Sequence, residues 1–526
     1  MASIVLQKVG KHTYLYESES YRKDGKIRNR RRCVGKVDPL TGNYIYKPEY
    51  IKKKGLHLTE ESAKEATIYS VSDVKNSVVK EYGVFYLLNE VARTTGLSSI
   101  LMDVFPDSYE EILNLAFFMV STGEPAMYCE DWLYKTEHYL GKELSSQRIS
   151  ELLSNLTNGE RMSFFEKWSE YRSEQEYIAL DTTSISTYSE LINDAEWGYN
   201  RDKEKLPQVN VCMLMGEKSK LPILQVIYSG SIGDVSTLLN TLHTATNLNI
   251  KNISLVMDKG FAKIPNIDKL LSKETDMRFL IALPFSMKFA KNQVKIERDK
   301  IDSAENTIII GSDVLRGVTS KQIWNDTNEI FVHAIFNPVV AAYAKNNTFC
   351  KVKELSKLVM LNPNKYKDNK EVKKYLTIKN SSNMSDISIN IKEKAIANEL
   401  LTKGWVIIVG NHIDNAQNAL EIYRAKDVVE KGFLRMKTCL DLARLRVHSD
   451  ETMQNKVFIG FIALIVIAHI HKVMSDNQLY KSWTMKKMFK ILERLKIHYI
   501  KDDQIVSPLT KDHKRIFAAF DMIPCL

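Results

Sequence analysis

Tyr423, Lys426, Glu430 and Lys437 lie at offsets of 3, 7 and 14 from the first of them. At about 100° per residue on a helix these become roughly −60°, −20° and −40°, so all four side chains share an arc of about 60°. An aromatic, two ammoniums and a carboxylate on one stripe do not make an apolar packing face. A solvated stripe laced by an i,i+4 pair of Lys426 with Glu430 has the same spacing. Two further carboxylates bear on the choice. Asp181 closes the apolar run Tyr177-Ile178-Ala179-Leu180, and Asp258 closes Ile253-Ser254-Leu255-Val256-Met257. A carboxylate ending a buried strand requires a partner or a metal, unless it caps a helix or forms a turn, as Asp258-Lys259-Gly260 could. Two such Asp with one Glu supply the hard oxygens that Mg²⁺ prefers. Two ions clamped by three carboxylates activate a water or a 3′-hydroxyl at a phosphodiester. Lysines beside them would hold phosphate as point charges.

The elements that must position these groups follow from the apolar pattern. Strand-like runs at 177–180, 209–215, 223–228, 253–257 and 279–283, with a helical stretch at 235–246, read as an α/β sheet with its carboxylates at one edge. Asp234 is expected to cap the helix it precedes. The segment 404–475 returns to this core: 405–409 reads as a strand, and 416 to about 446 as one long helix carrying the stripe. Between the two halves (173–291 and 404–475), residues 292–403 read as a β-rich, lysine-rich insertion, with nine lysines between Lys351 and Lys379. Upstream, 71–172 has helical periodicity, with Ser145 as an N-cap, and 476–526 reads as a helical tail with a place for dimerisation. The first 70 residues alternate like strands around a stretch from Arg22 to Lys36 with eight basic residues, among them Arg28, Arg30, Arg31 and Arg32, against one acid. Such density suits phosphate contact by counterion release, although a solvated hairpin has the same composition. The helical segment 71–172 is a second candidate for DNA binding.

Composition narrows the class. The 526 residues are 44% hydrophobic and 26% charged, with a formal net charge of +10, the range of an ordinary folded protein that favours a polyanionic partner. Six cysteines without a CxxC pair form neither a disulfide framework nor a zinc signature. The N-terminal residues show no apolar signal region, so the expected compartment is the reducing cytoplasm. The longest apolar run, 457–468, is shorter than the ~20 residues of a membrane span and reads as a buried core helix, so no membrane partner is expected. A haloacid-dehalogenase-type phosphatase is set aside: its chemistry needs a second Asp two residues after the first, where Thr183 stands, and Gly233-Asp234 is followed by Leu238 at the place of its distal acid.

Together, the residues resemble those of the DDE transposases of bacterial insertion sequences. The likeness is to the subgroup with a Tyr-x2-Arg-x3-Glu-x6-Lys signature and a β-rich insertion in a ribonuclease-H-like core. Here the signature runs from Tyr423 through Lys426 and Glu430 to Lys437, with Lys426 where the family has Arg, so a point charge replaces a bidentate donor. Leu180-Asp181-Thr182-Thr183 and Met257-Asp258-Lys259-Gly260-Phe261 resemble the strands of the first two acids. The stretches Gly198-Tyr199-Asn200-Arg201-Asp202 and Gly230-Ser231-Ile232-Gly233-Asp234 are similar to two family loops. The resemblance implies an α/β fold: a ribonuclease-H-like catalytic core with a β-rich insertion, preceded by a small β element and a helical domain. It implies two Mg²⁺ ions, with Mn²⁺ able to substitute, held by Asp181, Asp258 and Glu430. Tyr423, Lys426 and Lys437 would hold terminal phosphates. The implied partners are double-stranded DNA, as terminal inverted repeats and target, and a second copy of the chain in an active homodimer on a bacterial chromosome. Cut-and-paste transposition through a hairpin is the implied reaction. Two alternatives stay open: a metal-dependent DNA nuclease on the same core without strand transfer, and a catalytically silent or domesticated sequence-specific DNA-binding protein.

Overall fold

The apolar runs that precede the two aspartates lie side by side in the computed structural model of the chain, which describes residues 3–9, 12–23, 26–37, 44–47, 50, 71–139, 144–172, 177–248, 250, 254–272, 277–366, 368–380 and 387–523. Two compact units divide at residues 77 and 78. The first holds an antiparallel meander of β1 (Ser3–Val9), β2 (His12–Lys23), β3 (Lys26–Val37) and β4 (Tyr44–Tyr46), and a short helix α1 (Val71–Lys75). Leu15 and Val34 are its buried apolar residues. On β3, Arg32 stands across from Glu17 of β2, so a cross-strand carboxylate opposes part of the basic run.

The second unit begins with β5 (Val78–Glu81) and the helices α2 (Gly83–Thr94), α3 (Leu97–Val104), α4 (Tyr109–Thr122), α5 (Cys129–Lys135), α6 (Ser146–Asn155) and α7 (Asn158–Tyr171). Ser145 caps α6 by accepting from the Arg148 N–H. The segment that carries Asp181 and Asp258 follows, with β6 (Tyr177–Ser186), β7 (Gln208–Gly216), β8 (Pro222–Ser229), α8 (Asp234–Asn247), β9 (Ser254–Met257), α9 (Ile264–Leu270), β10 (Arg278–Ala282) and α10 (Lys288–Glu297). Gly233, rather than Asp234, occupies the N-cap position of α8; Asp234 is its first helical residue. Strands β11 (Thr307–Ile310), β12 (Asp313–Trp324), β13 (Asn328–Phe336) and, much later, β16 (Trp405–Gly410) complete a nine-stranded sheet in the order β11-β12-β13-β16-β10-β9-β6-β7-β8. Only the β6–β9 and β9–β10 pairs are parallel. These strands are covered on both faces, which is why their sequences are nearly continuous apolar runs.

The insertion differs from the sequence expectation of a β-rich segment over 292–403. Strands β11 to β13 belong to the large sheet, where β13 pairs with β16 and so buries Val332 and Ala334 against its core. What lies outside that sheet is mainly helical: α11 (Pro338–Leu361), α12 (Pro363–Tyr366), α13 (Lys370–Tyr375) and α14 (Glu393–Leu400), with one hairpin of β14 (Leu376–Asn380) and β15 (Ile387–Ile391). It has its own small core around Val352, Val359, Val372 and Ile396, which leaves Lys351, Lys353, Lys357, Lys373 and Lys374 on the outside. The expected single helix from 416 to 446 is two helices, α15 (Ala416–Ala425) and α16 (Asp427–Cys439), joined at Lys426.

The apolar run 457–468 is the middle of α17 (Asp450–Asp476), and every residue of it is buried. Phe458 and Phe461 meet Phe164 and Phe165 of α7 edge to face at 5.2 Å, the favoured geometry for aromatic quadrupoles. Asn455 donates to the Leu153 and Leu156 carbonyls, both at 2.8 Å, satisfying carbonyls at the C-terminal end of α6 that the helix cannot pair itself. The upstream helices therefore share one core with the nine-stranded sheet instead of forming a separate domain. Nor is 476–526 an outlying helical tail. After α18 (Met485–Leu492), β17 (Lys496–Ile500) pairs with β5 on one side and β18 (Asp503–Val506) on the other, and α19 (Lys511–Ala519) follows. Pairing with β5 buries the tail against the first residues of the same unit.

Candidate active site

The parallel register of β6 and β9 sets Leu180 across from Met257, which brings Asp181 and Asp258 one residue further on to neighbouring strands. Asp181 does not end its strand: β6 runs on to Ser186, paired with β7 after β9 has stopped. Its buried carboxylate accepts at Oδ1 from the Thr182 N–H at 2.8 Å and from Arg201 Nη1 at 3.1 Å. Burial pushes the Asp181 carboxyl above its usual range, and the opposing pull of Arg201, the Thr182 N–H and Lys426 does not cancel it. Asp258 stands at the N-cap position of the turn Lys259–Phe261, but its side chain makes no capping bond. It accepts instead from the Tyr423 hydroxyl at 2.9 Å.

Helices α15 and α16 supply the rest. The apolar face of α16 (Val428, Val429, Gly432, Phe433 and Met436) is buried, and Gly432 allows the close approach: a Cβ there would stand 2.5 Å from Met215 Sδ of β7. That contact holds the opposite residues beside the strand ends. Lys426 Nζ lies 2.7 Å from Glu430 Oε1, 3.9 Å from Asp258 Oδ1 and 5.5 Å from the centre of the Tyr423 ring. Burial opposes charge on Lys426, yet the hydrogen bond to Glu430 and the carboxylates of Asp258, Glu430 and Asp181 outweigh it, and the ammonium is held above its usual range. Burial first, then Asp258, push the Tyr423 phenol up, so it remains a proton donor. Lys437 turns away from the acids and pairs with Asp202 Oδ2 at 2.5 Å.

Three residues to which the spacing pattern assigned no role lie on the loop between β6 and β7. Arg201 holds Asp181, Asp202 holds Lys437, and Glu204 accepts from Arg444 at 2.6 Å and from Ser186 Oγ at 2.7 Å. The signal was present in the Gly198–Asp202 stretch, and Gly198 shows why glycine is needed there: a Cβ on it would stand 1.9 Å from the Gly230 carbonyl oxygen. The basic residues Arg28, Arg30, Arg31 and Arg32 lie on β3 of the first unit; the last three have exposed side chains, and the Arg28 side chain is outside the described residues.

The donor set fits a hard divalent cation in its chemistry. Among the described residues, the hydrogen bonds to Asp181, Asp258 and Glu430 fall on a single oxygen of each, leaving the other for a cation. A cationic group already stands between two of them, the Lys426 ammonium. The acids do not converge as they stand: among the described residues, no group of three His, Cys, Asp or Glu side chains is close enough to hold a metal ion. A metal at Asp258 and Glu430 would have to displace Lys426.

No curated protein matches the chain. A solved structure described as the cryo-EM structure of piggyBac transposase synaptic complex with hairpin DNA is similar over 77% of this chain and 70% of that one, at 10% identity and a TM-score of 0.33, a likeness on which nothing below rests. The sequence profile of the transposase DDE domain matches residues 172–466, more than half of the chain, and spans both strand acids and the helix of the third. The chain therefore belongs to the DDE transposase family, DNA-binding enzymes of DNA transposition that cleave DNA and join its strands by transesterification.

Proposed function

We propose that this protein is the transposase of a bacterial insertion sequence, acting as a homodimer on terminal inverted repeats by cut-and-paste transposition through a hairpin, with Asp181, Asp258 and Glu430 as the catalytic acids. The observation that carries the assignment of the acids is their placement: Asp181 on β6 and Asp258 just past the end of the adjacent parallel strand β9, with Tyr423 bonded to Asp258 and Lys426 bonded to Glu430 across the same edge. Mg²⁺ ions, with Mn²⁺ as a substitute, would be held by these three carboxylates and would supply an activated water or 3′-hydroxyl and a stabilised leaving oxygen. Tyr423 orients Asp258 through its hydroxyl. Arg201 holds the Asp181 carboxylate on one oxygen. Lys426 and Lys437 offer point charges for phosphates flanking the scissile bond.

The full chain, incubated with Mg²⁺ and a duplex carrying the repeat that flanks its gene, is expected to cut at the repeat boundary and give a hairpin, with loss on Asp181→Ala or Glu430→Gln. Cutting that never leads to strand joining would make it a nuclease. The position of Lys426 favours a second reading, a catalytically silent DNA-binding protein in which its ammonium stays between Asp258 and Glu430. Specific binding without cutting, in Mn²⁺ as well as Mg²⁺, would establish that reading.

A further inference from the structure

The loop between β6 and β7 makes three ion pairs with residues at the candidate site, and they are not alike. Glu204 is built in: it accepts from Ser186 Oγ and Arg444, its own N–H donates to Asn200 Oδ1 at 3.3 Å, and its side chain is 28% exposed. Arg201 bridges Asp181 and the Thr182 hydroxyl, and its N–H donates to Ser184 Oγ, so this residue too is tied to β6 by several bonds. Asp202 differs. Its N–H is fixed by Asn200 Oδ1 at 2.9 Å, but among the described residues its carboxylate meets Lys437 alone, and it is 47% exposed. Lys437 itself is only 15% exposed, so Asp202 is the removable part of its cover. The electrostatic surroundings match: Glu204 is held below its usual range by Ser186 first, and Lys437 is among the charges that act on it.

We propose that Asp202 occupies on Lys437 the place of a DNA backbone phosphate, so that DNA enters by exchanging one anion for another while the Arg201 and Glu204 pairs keep the loop anchored. The inference rests on the reading of Lys437 as a phosphate-binding residue. An ammonium paired with an exposed carboxylate is bound weakly enough to exchange, because solvent screens such pairs. The pair also holds the lysine side chain in one place, so little side-chain freedom is lost when phosphate arrives.

The test measures binding of the full chain to a fluorescein-labelled duplex of arbitrary sequence by anisotropy, in EDTA and at several salt concentrations. The variants are Asp202→Asn, Lys437→Ala and the double substitution, with thermal melts confirming that each is folded. Asp202→Asn is expected to tighten binding about two- to tenfold, since a competing anion is gone. Lys437→Ala should weaken binding and lower the salt slope by about one. Adding Asp202→Asn to Lys437→Ala should then change nothing. Unchanged or weaker binding by Asp202→Asn, while Lys437→Ala still weakens it, overturns the inference and leaves the phosphate role of Lys437 standing. Equal tightening by Asp202→Asn in both backgrounds also overturns it, as a general charge effect. If Lys437→Ala leaves binding intact, the phosphate role and the inference fall together.

Discussion

Tyr423→Phe deletes one oxygen, the phenol that donates to Asp258 Oδ1 at 2.9 Å. The ring remains, so its contact with the Lys426 ammonium and the packing beneath it stay. A hydrogen bond to a charged group contributes about 1.5–3 kcal/mol when sheltered. The Asp258 side chain is 38% exposed, so water can take up part of the vacated place. We therefore expect roughly half of the sheltered value, about 1 kcal/mol. A double-mutant cycle with Asp258→Ala, followed by urea unfolding in EDTA, isolates the pair from the other effects of each substitution. The bond also orients a proposed metal ligand, and loss of such an outer partner weakens metal binding about 10- to 100-fold. With Asp258 partly exposed, the lower end of that range is expected for Mn²⁺ by titration calorimetry. Additivity within about 0.3 kcal/mol would show that the hydroxyl and carboxylate are merely near each other, and would refute the reasoning. Coupling without any change in Mn²⁺ affinity would keep the bond but remove Asp258 from the metal site.

Other predictions follow from the same structure. Lys426→Met should tighten Mn²⁺ binding at Asp258 and Glu430, because the ammonium that stands 2.7 Å from Glu430 is gone; weaker binding in calorimetry would show that Lys426 organises the acids instead. Phe458→Ala, inside the shared aromatic core, should cost about 3–5 kcal/mol in urea unfolding, and a cost under about 1 kcal/mol would mean that α7 and α17 are not packed as described. Burial pushes the His333 imidazole down to about 4, below the usual value of about 6.5 in the unfolded chain. Its stability contribution is thus complete above about pH 6.5 and lost as pH falls through about 4, with a slope of up to about 1.4 kcal/mol per pH unit. Unfolding free energies measured across that window should show the slope reduced by about one proton in His333→Leu.

Much of the site could be read from local pattern. The stripe from Tyr423 to Lys437 was legible because helical periodicity is a property of neighbouring residues, and Asp181 and Asp258 stood out because charge beside an apolar run is costly. The apolar helix and the polyanion-seeking charge were equally local readings. Pairings between distant segments were not legible. Tyr423 and Asp258 are 165 residues apart, and Asp202 and Lys437 are 235 apart. No spacing rule specifies which loop carboxylate turns towards which lysine. The same limit explains the insertion: β11 to β13 look like any short strands, and only pairing with β16 makes them part of the central sheet. It explains the C-terminal segment too, whose strand has no meaning until β5 lies beside it.

By itself, then, the sequence determined the chemical types available, their periodicity and the strands and helices that carry them, because these depend on local sterics and on burial of apolar side chains. The tertiary structure alone decided that Asp181 lies mid-strand, that Lys426 joins two helices and stands between two acids, and that Arg201 and Asp202 act as the counter-charges of Asp181 and Lys437. Those outcomes depend on strand register and loop path, which are settled by the sum of many long-range contacts and not by any one stretch of residues.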